Sequence, residues 1–316
     1  MLDYRTLGLV GGVLAMLAAA TTIGQRLKYA TDIGLNPALV ESFNLRIRAW
    51  WLMCTVLAAA FLLGTIATVV LFGLISFWAL REFITLTPTR LGDHRTLFWV
   101  FFLFTPLQYV LVGMGTDYYG LFSVLIPVYA FLFIPTRVAL AGDYKRFLER
   151  TAKIQAGLMV CVYCLSHAPA LMSLKIDGFA GQNARLLFFF VLLVQLNDVL
   201  QYAWGKLLGG QHVITPSISP NRTWEGLLGG AASTTLIGMA LWWATPFEPW
   251  EAAGMSLVVA IMGSAGAMTM SAIKRDRGVK DYGTLVVGHG GVLDRIDSIC
   301  FAAPVFYHLT RYFFVL

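Results

Sequence analysis

The chain has 316 residues, 58% of them hydrophobic and only 13% charged, with a net charge of +6 and a pI near 9.2. Soluble domains carry about 25% charged residues, so this composition excludes a protein solvated by water alone. It indicates a polytopic, all-α integral membrane protein. Apolar runs near the ~20 residues that cross a bilayer recur along the whole chain, and the alternating ~10-residue segments of a β-barrel are absent.

The apolar runs predict ten spans in chain order, at about 7–24, 49–63, 65–81, 96–113, 118–136, 154–172, 185–204, 226–246, 251–272 and 298–315. The first reads as an uncleaved span rather than a signal peptide. Asp3 and Arg5 precede it without net charge, and Arg26 and Lys28 follow it, which puts the amino terminus outside. The polar region 26–48 leads through Leu45-Arg46-Ile47-Arg48 and Trp50-Trp51 into the second span, as an ordinary aromatic and basic interfacial anchor does. Gly64 lies near the middle of the run from Trp50 to Leu80 and marks a hairpin between two spans, the other reading being one tilted, kinked helix.

With both termini outside, 19 of the 23 Lys and Arg face the cytoplasm, leaving Arg5, Lys175, Arg185 and Arg311 outside. This positive-inside bias accounts for the basic charge without a nucleic-acid partner. The four cysteines lie within or at the start of apolar runs and form no disulfide framework. Cys161-x-x-Cys164, inside a span, reads as two small buried hydrophobes rather than a redox pair.

Chemistry concentrates between the ninth and tenth spans. Residues 274–297 hold five cations (Lys274, Arg275, Arg277, Lys280, Arg295), four anions (Asp276, Asp281, Asp294, Asp297) and His289. Lys and Arg neutralise phosphate oxygens, Asp carboxylates hold Mg²⁺ shared with phosphates, and the Gly288-x-Gly290-Gly291 cluster lets backbone amides approach an anion. The mixture suits a nucleoside triphosphate with a divalent metal; composition alone suits a lipid-headgroup surface equally well. Within the seventh span, Gln195, Asp198, Gln201 and Tyr202 share one helix face. A carboxylate there is costly and usually functional, with an interhelical hydrogen-bond network as the structural reading. In the preceding cytoplasmic loop, Ser219 or Thr223 caps a helix or contacts phosphate.

Residue order carries more. Ser271-x-x-Lys274-Arg275, Lys280-Asp281-x-Gly283 and His289-Gly290-Gly291-Val292-Leu293-Asp294-Arg295-Ile296-Asp297 resemble the signature of the phosphatidate cytidylyltransferases, the CDP-diacylglycerol synthases. Upstream, Asp198-x-x-x-Tyr202-x-x-Gly205-Lys206 and Ser219-Pro220-x-x-Thr223-Trp224-Glu225-Gly226 resemble that family's second stretch. The likeness is strong over about 190–315, so the chain divides into membrane helices 1–185 and a catalytic part 186–316 with cytoplasmic loops 205–225 and 273–297. Over 1–185 it extends only to apolar spans, one ending in an Arg81-Glu82 pair.

The resemblance implies that CTP and phosphatidic acid yield CDP-diacylglycerol and pyrophosphate in phospholipid biosynthesis. The site would face the cytoplasm in a bacterial inner membrane, and family members imply a homodimer. Asp294, Asp297 and Asp281, with Asp198 as a further ligand, are expected to hold Mg²⁺, alone or with a second cation. Lys274, Arg275, Lys280 and Arg295 are expected to hold the phosphates, helped by Lys206, Ser219, Thr223, Ser271, Gly290 and Gly291. His289 is expected to contact phosphate or order its loop, because an anionic acceptor needs no general base.

Three positions depart from the family pattern. Gly266-Ala267 stands where members have Gly-Asp, whose Asp is expected to bind metal; Ser217 replaces a common lysine and Val287 a common proline. A weakly active or inactive relative that binds phosphatidate, or an enzyme acting on another lipid phosphate, are therefore the other readings. A transporter lacks support, since no pair of Gly/Pro-broken helices recurs in matching halves.

Overall fold

The computed structural model describes residues 63–86, 89–283 and 290–315 continuously, with scattered positions between 8 and 58. The predicted spans 7–24 and 49–63, the anchor at 26–48, Val287 and His289 thus lie wholly or largely outside the described residues. Six described helices are long and apolar enough to cross a membrane. They are α1 Thr65–Thr85, α2 Leu91–Met114, α3 Thr116–Ala139, α4 Phe147–Ser173, α5 Asn183–Leu207 and α7 Pro249–Asp276. The predicted eighth and tenth spans are also helices, α6 Trp224–Ala240 and α8 Leu293–Phe314.

Local sequence explains the breaks. Gly64 adopts φ +96°, a conformation open to glycine, and starts α1 where the hairpin is predicted. Thr223 caps α6, accepting the Gly226 N–H at 3.1 Å. Glu248 and Glu251 form a capping box at α7 with Pro249 at its first position. The predicted cytoplasmic loop 205–225 has regular structure of its own. It contains an antiparallel hairpin of β1 Val213–Thr215 and β2 Ser219–Thr223. The β-branched run Val213-Ile214-Thr215 and the turn Pro216-Ser217-Ile218 favour it.

Helix α5 packs on α6 and α7, α6 on α7, and α7 on α8, while α8 also touches α4 and α1. Lipid offers no hydrophobic force between helices, so close approach depends on small residues. At Gly230 an added Cβ would lie 2.4 Å from Gln201 Cγ and 2.9 Å from its backbone N, so only glycine lets α6 come this near α5. Several polar groups between the helices are paired. Asn197 Nδ2 donates to the Ala260 carbonyl at 3.2 Å, and buried Arg185 Nε to the Ala244 carbonyl at 2.8 Å.

Candidate active site

At one end of the bundle the last turn of α7, the first turns of α8, the β-hairpin and the end of α1 converge. Lys274, in the last turn of α7, reaches across to Asp294 in the first turn of α8, with Nζ 2.8 Å from Oδ1. Both side chains are nearly buried, 12% and 6% exposed, so each charge depends on the other for compensation. The second oxygen of Asp294 accepts the Tyr282 N–H at 2.8 Å and the Gly291 N–H at 2.9 Å. Gly290 makes room for this carboxylate: its φ is +81°, and a Cβ there would lie 2.7 Å from Asp294 Oδ2. Asp294 thus folds the turn before α8 back onto α7 and orients the lysine.

A second carboxylate group lies along α5. Asp198 Oδ2 accepts the Ser298 hydroxyl at 2.9 Å, and Asp297 Oδ1 accepts the Ser298 N–H at 2.8 Å, so one serine of α8 bridges the two acids. Asp198 Oδ1 is buried without a hydrogen-bond partner, with Arg222 of β2 3.9 Å away. Asp198, Arg222, Ser219 and Thr223 line a cavity of about 190 Å³ together with Gln201 and Tyr202. The polar face predicted on α5 therefore exists and looks into the helix junction. Gln195 Nε2 donates to the Arg295 carbonyl at 3.3 Å, and Gln201 Nε2 to Ser264 Oγ at 2.5 Å.

Arg275 ties the two loops together, donating from Nε to the Ile218 carbonyl and from a terminal nitrogen to the Val279 carbonyl, each at 3.2 Å. Lys206 is exposed, 5.9 Å over the Tyr202 ring, and borders a smaller cavity of about 150 Å³ with Thr223. Lys280 and Asp281 are exposed in the loop after α7. Arg295 is half-buried in the first turn of α8. Ser271 donates back to the Ala267 carbonyl within its own helix at 2.7 Å. Beside the hairpin, His212 Nδ1 is 2.5 Å from Glu225 Oε1, and this bond holds the Glu225 carboxyl below its ordinary range.

The four acids proposed for metal do not form one cluster. Asp198 and Asp297 meet at Ser298, Asp294 is engaged by Lys274 and two amides, and exposed Asp281 flanks Gly290 on the Asp294 side. Among the described residues no three His, Cys, Asp or Glu side chains converge on one point. Ala267 is buried, 3% exposed, one turn before Ser271 on α7.

Two residues escaped the sequence reading of the site. Arg222 lies between Ser219 and Thr223 in the motif, a place that signals more than a cytoplasmic charge. Glu82, at the end of α1, accepts the Val292 N–H at 3.0 Å and the Leu293 N–H at 2.8 Å. It is 5% exposed, and the space it fills is kept by Gly283 and Gly291, where an added Cβ would lie within 2.7 Å of its oxygens. A carboxylate ending an apolar run was the available signal.

The described helices define an all-α polytopic membrane protein with paired cations and acids at one end of its bundle. The profile of the cytidylyltransferase family matches residues 44–313, and the chain belongs to that family, a family of nucleotidyltransferases. It is 40% identical over 273 residues to the protein YnbB of Escherichia coli K12, described as uncharacterized, covering 85% of this chain and 87% of that one. It is 37% identical over 127 residues to a phosphatidate cytidylyltransferase of Staphylococcus aureus strain COL, covering 40% of this chain and 48% of that one. With a phosphatidate cytidylyltransferase of Mycobacterium leprae it shares 36% identity over 171 residues, 54% of this chain and 53% of the relative. The chain thus matches about half the length of these two enzymes.

Proposed function

We propose that the chain transfers the cytidylyl group of CTP to the phosphate of phosphatidate, releasing pyrophosphate, at the cytoplasmic rim of a bacterial inner membrane. The observation that carries this reading is the meeting, at one end of the bundle, of the Lys274–Asp294 pair with the cavity of Asp198, Arg222, Ser219 and Thr223. Both lie in the stretches that resemble the phosphatidate cytidylyltransferases. The acceptor phosphate attacks the α-phosphorus and pyrophosphate leaves, so no base is needed and the protein's task is positioning and charge neutralisation. Lys274, oriented by Asp294, and Arg222, beside Asp198, are pre-placed for phosphate oxygens; exposed Lys206 and Lys280 extend the positive rim.

The donor set fits a divalent cation at Asp198 and Asp297. Asp198 Oδ1 is a buried oxygen without a hydrogen-bond partner, and two carboxylates beside a phosphate site match how Mg²⁺ is held. Bound there, Mg²⁺ would neutralise triphosphate charge. A second reading rests on Ala267, which supplies no oxygen inside the site: a relative that binds phosphatidate without turning over CTP.

The test is release of pyrophosphate from CTP by the purified protein, with and without phosphatidate and Mg²⁺, with Ala267→Asp alongside. Release that requires phosphatidate and rises with Ala267→Asp supports the transfer reaction. Phosphatidate binding without release by either protein supports the second reading. If neither turns over and Asp294→Ala leaves CTP binding unchanged, the site assignment is wrong.

A further inference from the structure

A second basic cavity lies on the bundle end that carries Glu82, and none of Asp198, Asp281, Asp294 and Asp297 lines it. A cavity of about 360 Å³ is walled by Arg90, Lys145, Arg146, Glu149, Arg150 and Lys153. Its floor is built rather than incidental. Arg150, 3% exposed, holds Asp93 through Nε and a terminal nitrogen, at 3.0 and 2.5 Å. Its other terminal nitrogen donates to the Asp143 and Lys145 carbonyls at 2.9 and 2.8 Å, which pins the loop presenting Lys145 and Arg146. Arg90 pairs with Asp143 at 3.1 Å, Arg146 with Glu149 at 3.6 Å, and Lys153 with Glu149. Five cations against Asp93, Asp143 and Glu149 leave a positive excess, and no described acid pairs with Lys145 within salt-bridge distance.

Two further observations point to the occupant. Arg146 holds φ +51°, the one positive φ outside glycine among the described residues, and strain retained at a cavity rim calls for a functional reason. The same segments turn large apolar side chains outward: Leu91, Leu140, Tyr144 and Leu148 are between 75% and 85% exposed. A site for a soluble anion needs no such rim, whereas a lipid places acyl chains beside its phosphate, and a juxtamembrane basic cluster attracts anionic headgroups.

We propose that this cavity binds the phosphate headgroup of an anionic glycerophospholipid, with Leu91, Leu140, Tyr144 and Leu148 lying among the acyl chains. Its lining shares no residue with the cavity of Asp198 and Arg222, and the proposal stands on the membrane fold rather than on the transfer reaction.

The test is native mass spectrometry of the full-length protein in detergent, titrated with phosphatidylglycerol, which is not the proposed acceptor. Phosphatidylcholine and inorganic phosphate form the comparison arms. The parent should bind phosphatidylglycerol in preference to phosphatidylcholine, and inorganic phosphate at equal concentration should not displace it. Combined Lys145→Gln, Arg146→Gln and Lys153→Gln should weaken binding at least about tenfold, whereas Lys274→Ala should not. Arg146→Gly separates binding from folding: glycine tolerates the backbone, so the variant should melt no lower than the parent while binding the lipid several-fold more weakly. Equal lipid binding by the triple variant or by Arg146→Gly, equal binding of phosphatidylcholine, or full displacement by inorganic phosphate would overturn the proposal.

Discussion

Glu82 and Asp294 divide the backbone of one turn between them: Glu82 takes the N–H groups of Val292 and Leu293, Asp294 those of Tyr282 and Gly291. Removing a carboxylate here strands buried donors, at about 1–3 kcal/mol each. Glu82→Ala, which strands two donors, should therefore lower the unfolding free energy by roughly 2–6 kcal/mol and reduce pyrophosphate release at least tenfold. Glu82→Gln, which keeps one acceptor oxygen, should fall between. Denaturant unfolding in detergent and the CTP assay measure both effects, and parent-like turnover by Glu82→Ala would remove Glu82 from the site. Lys274 and Asp294 were named from the motif alone, and the structure joins them. Glu82 lies 210 residues from Val292 in sequence, so no local pattern connected them.

Between helices, the α5–α6 contact sets the shape of the cavity, because Asp198, Gln201 and Tyr202 come from α5 and Gly226 and Leu227 from α6. Gly230→Ala would push a methyl into the Gln201 backbone, and such overpacking costs about 1–3 kcal/mol. The expected result is a lower melting temperature together with reduced turnover. Gly254→Ala is the counterpart on α7: nothing lies within 4 Å of the added Cβ, and helix propensity favours alanine by about 1 kcal/mol. It should be neutral or stabilising in the same thermal melt. If both variants melt alike, close glycine packing does not limit this interface. Span positions were legible because hydropathy reports length directly. The β-hairpin was not, because a short polar segment between spans carries little periodicity.

Across the whole molecule, Arg275 links the loop after α7 to the hairpin, and Glu82 links α1 to the start of α8, so residues 82, 218, 275 and 292 share one end. Lys175, just after α4, pairs with Asp117 in the first turn of α3. By the positive-inside rule the first end is expected on the cytoplasmic side. Single cysteines replacing Lys145, Lys206 or Lys280 in a cysteine-free background should react with an impermeant thiol reagent only after permeabilisation. A cysteine replacing Lys175 should react in intact spheroplasts. The reverse pattern would turn the protein over and move CTP chemistry outside.

The amino-acid sequence by itself determined the helical membrane class, the positions of the eight spans within the described residues and the motif residues, because hydropathy over ~20 residues and fixed spacing are local properties. Tertiary structure alone decided which of those residues meet. It engaged Asp294 with Lys274, joined Asp198 to Asp297 through Ser298, brought Glu82 to the turn that starts α8 and gathered distant basic side chains around a second cavity. Pairings of this kind depend on how the helices cross, which no stretch of the chain encodes on its own.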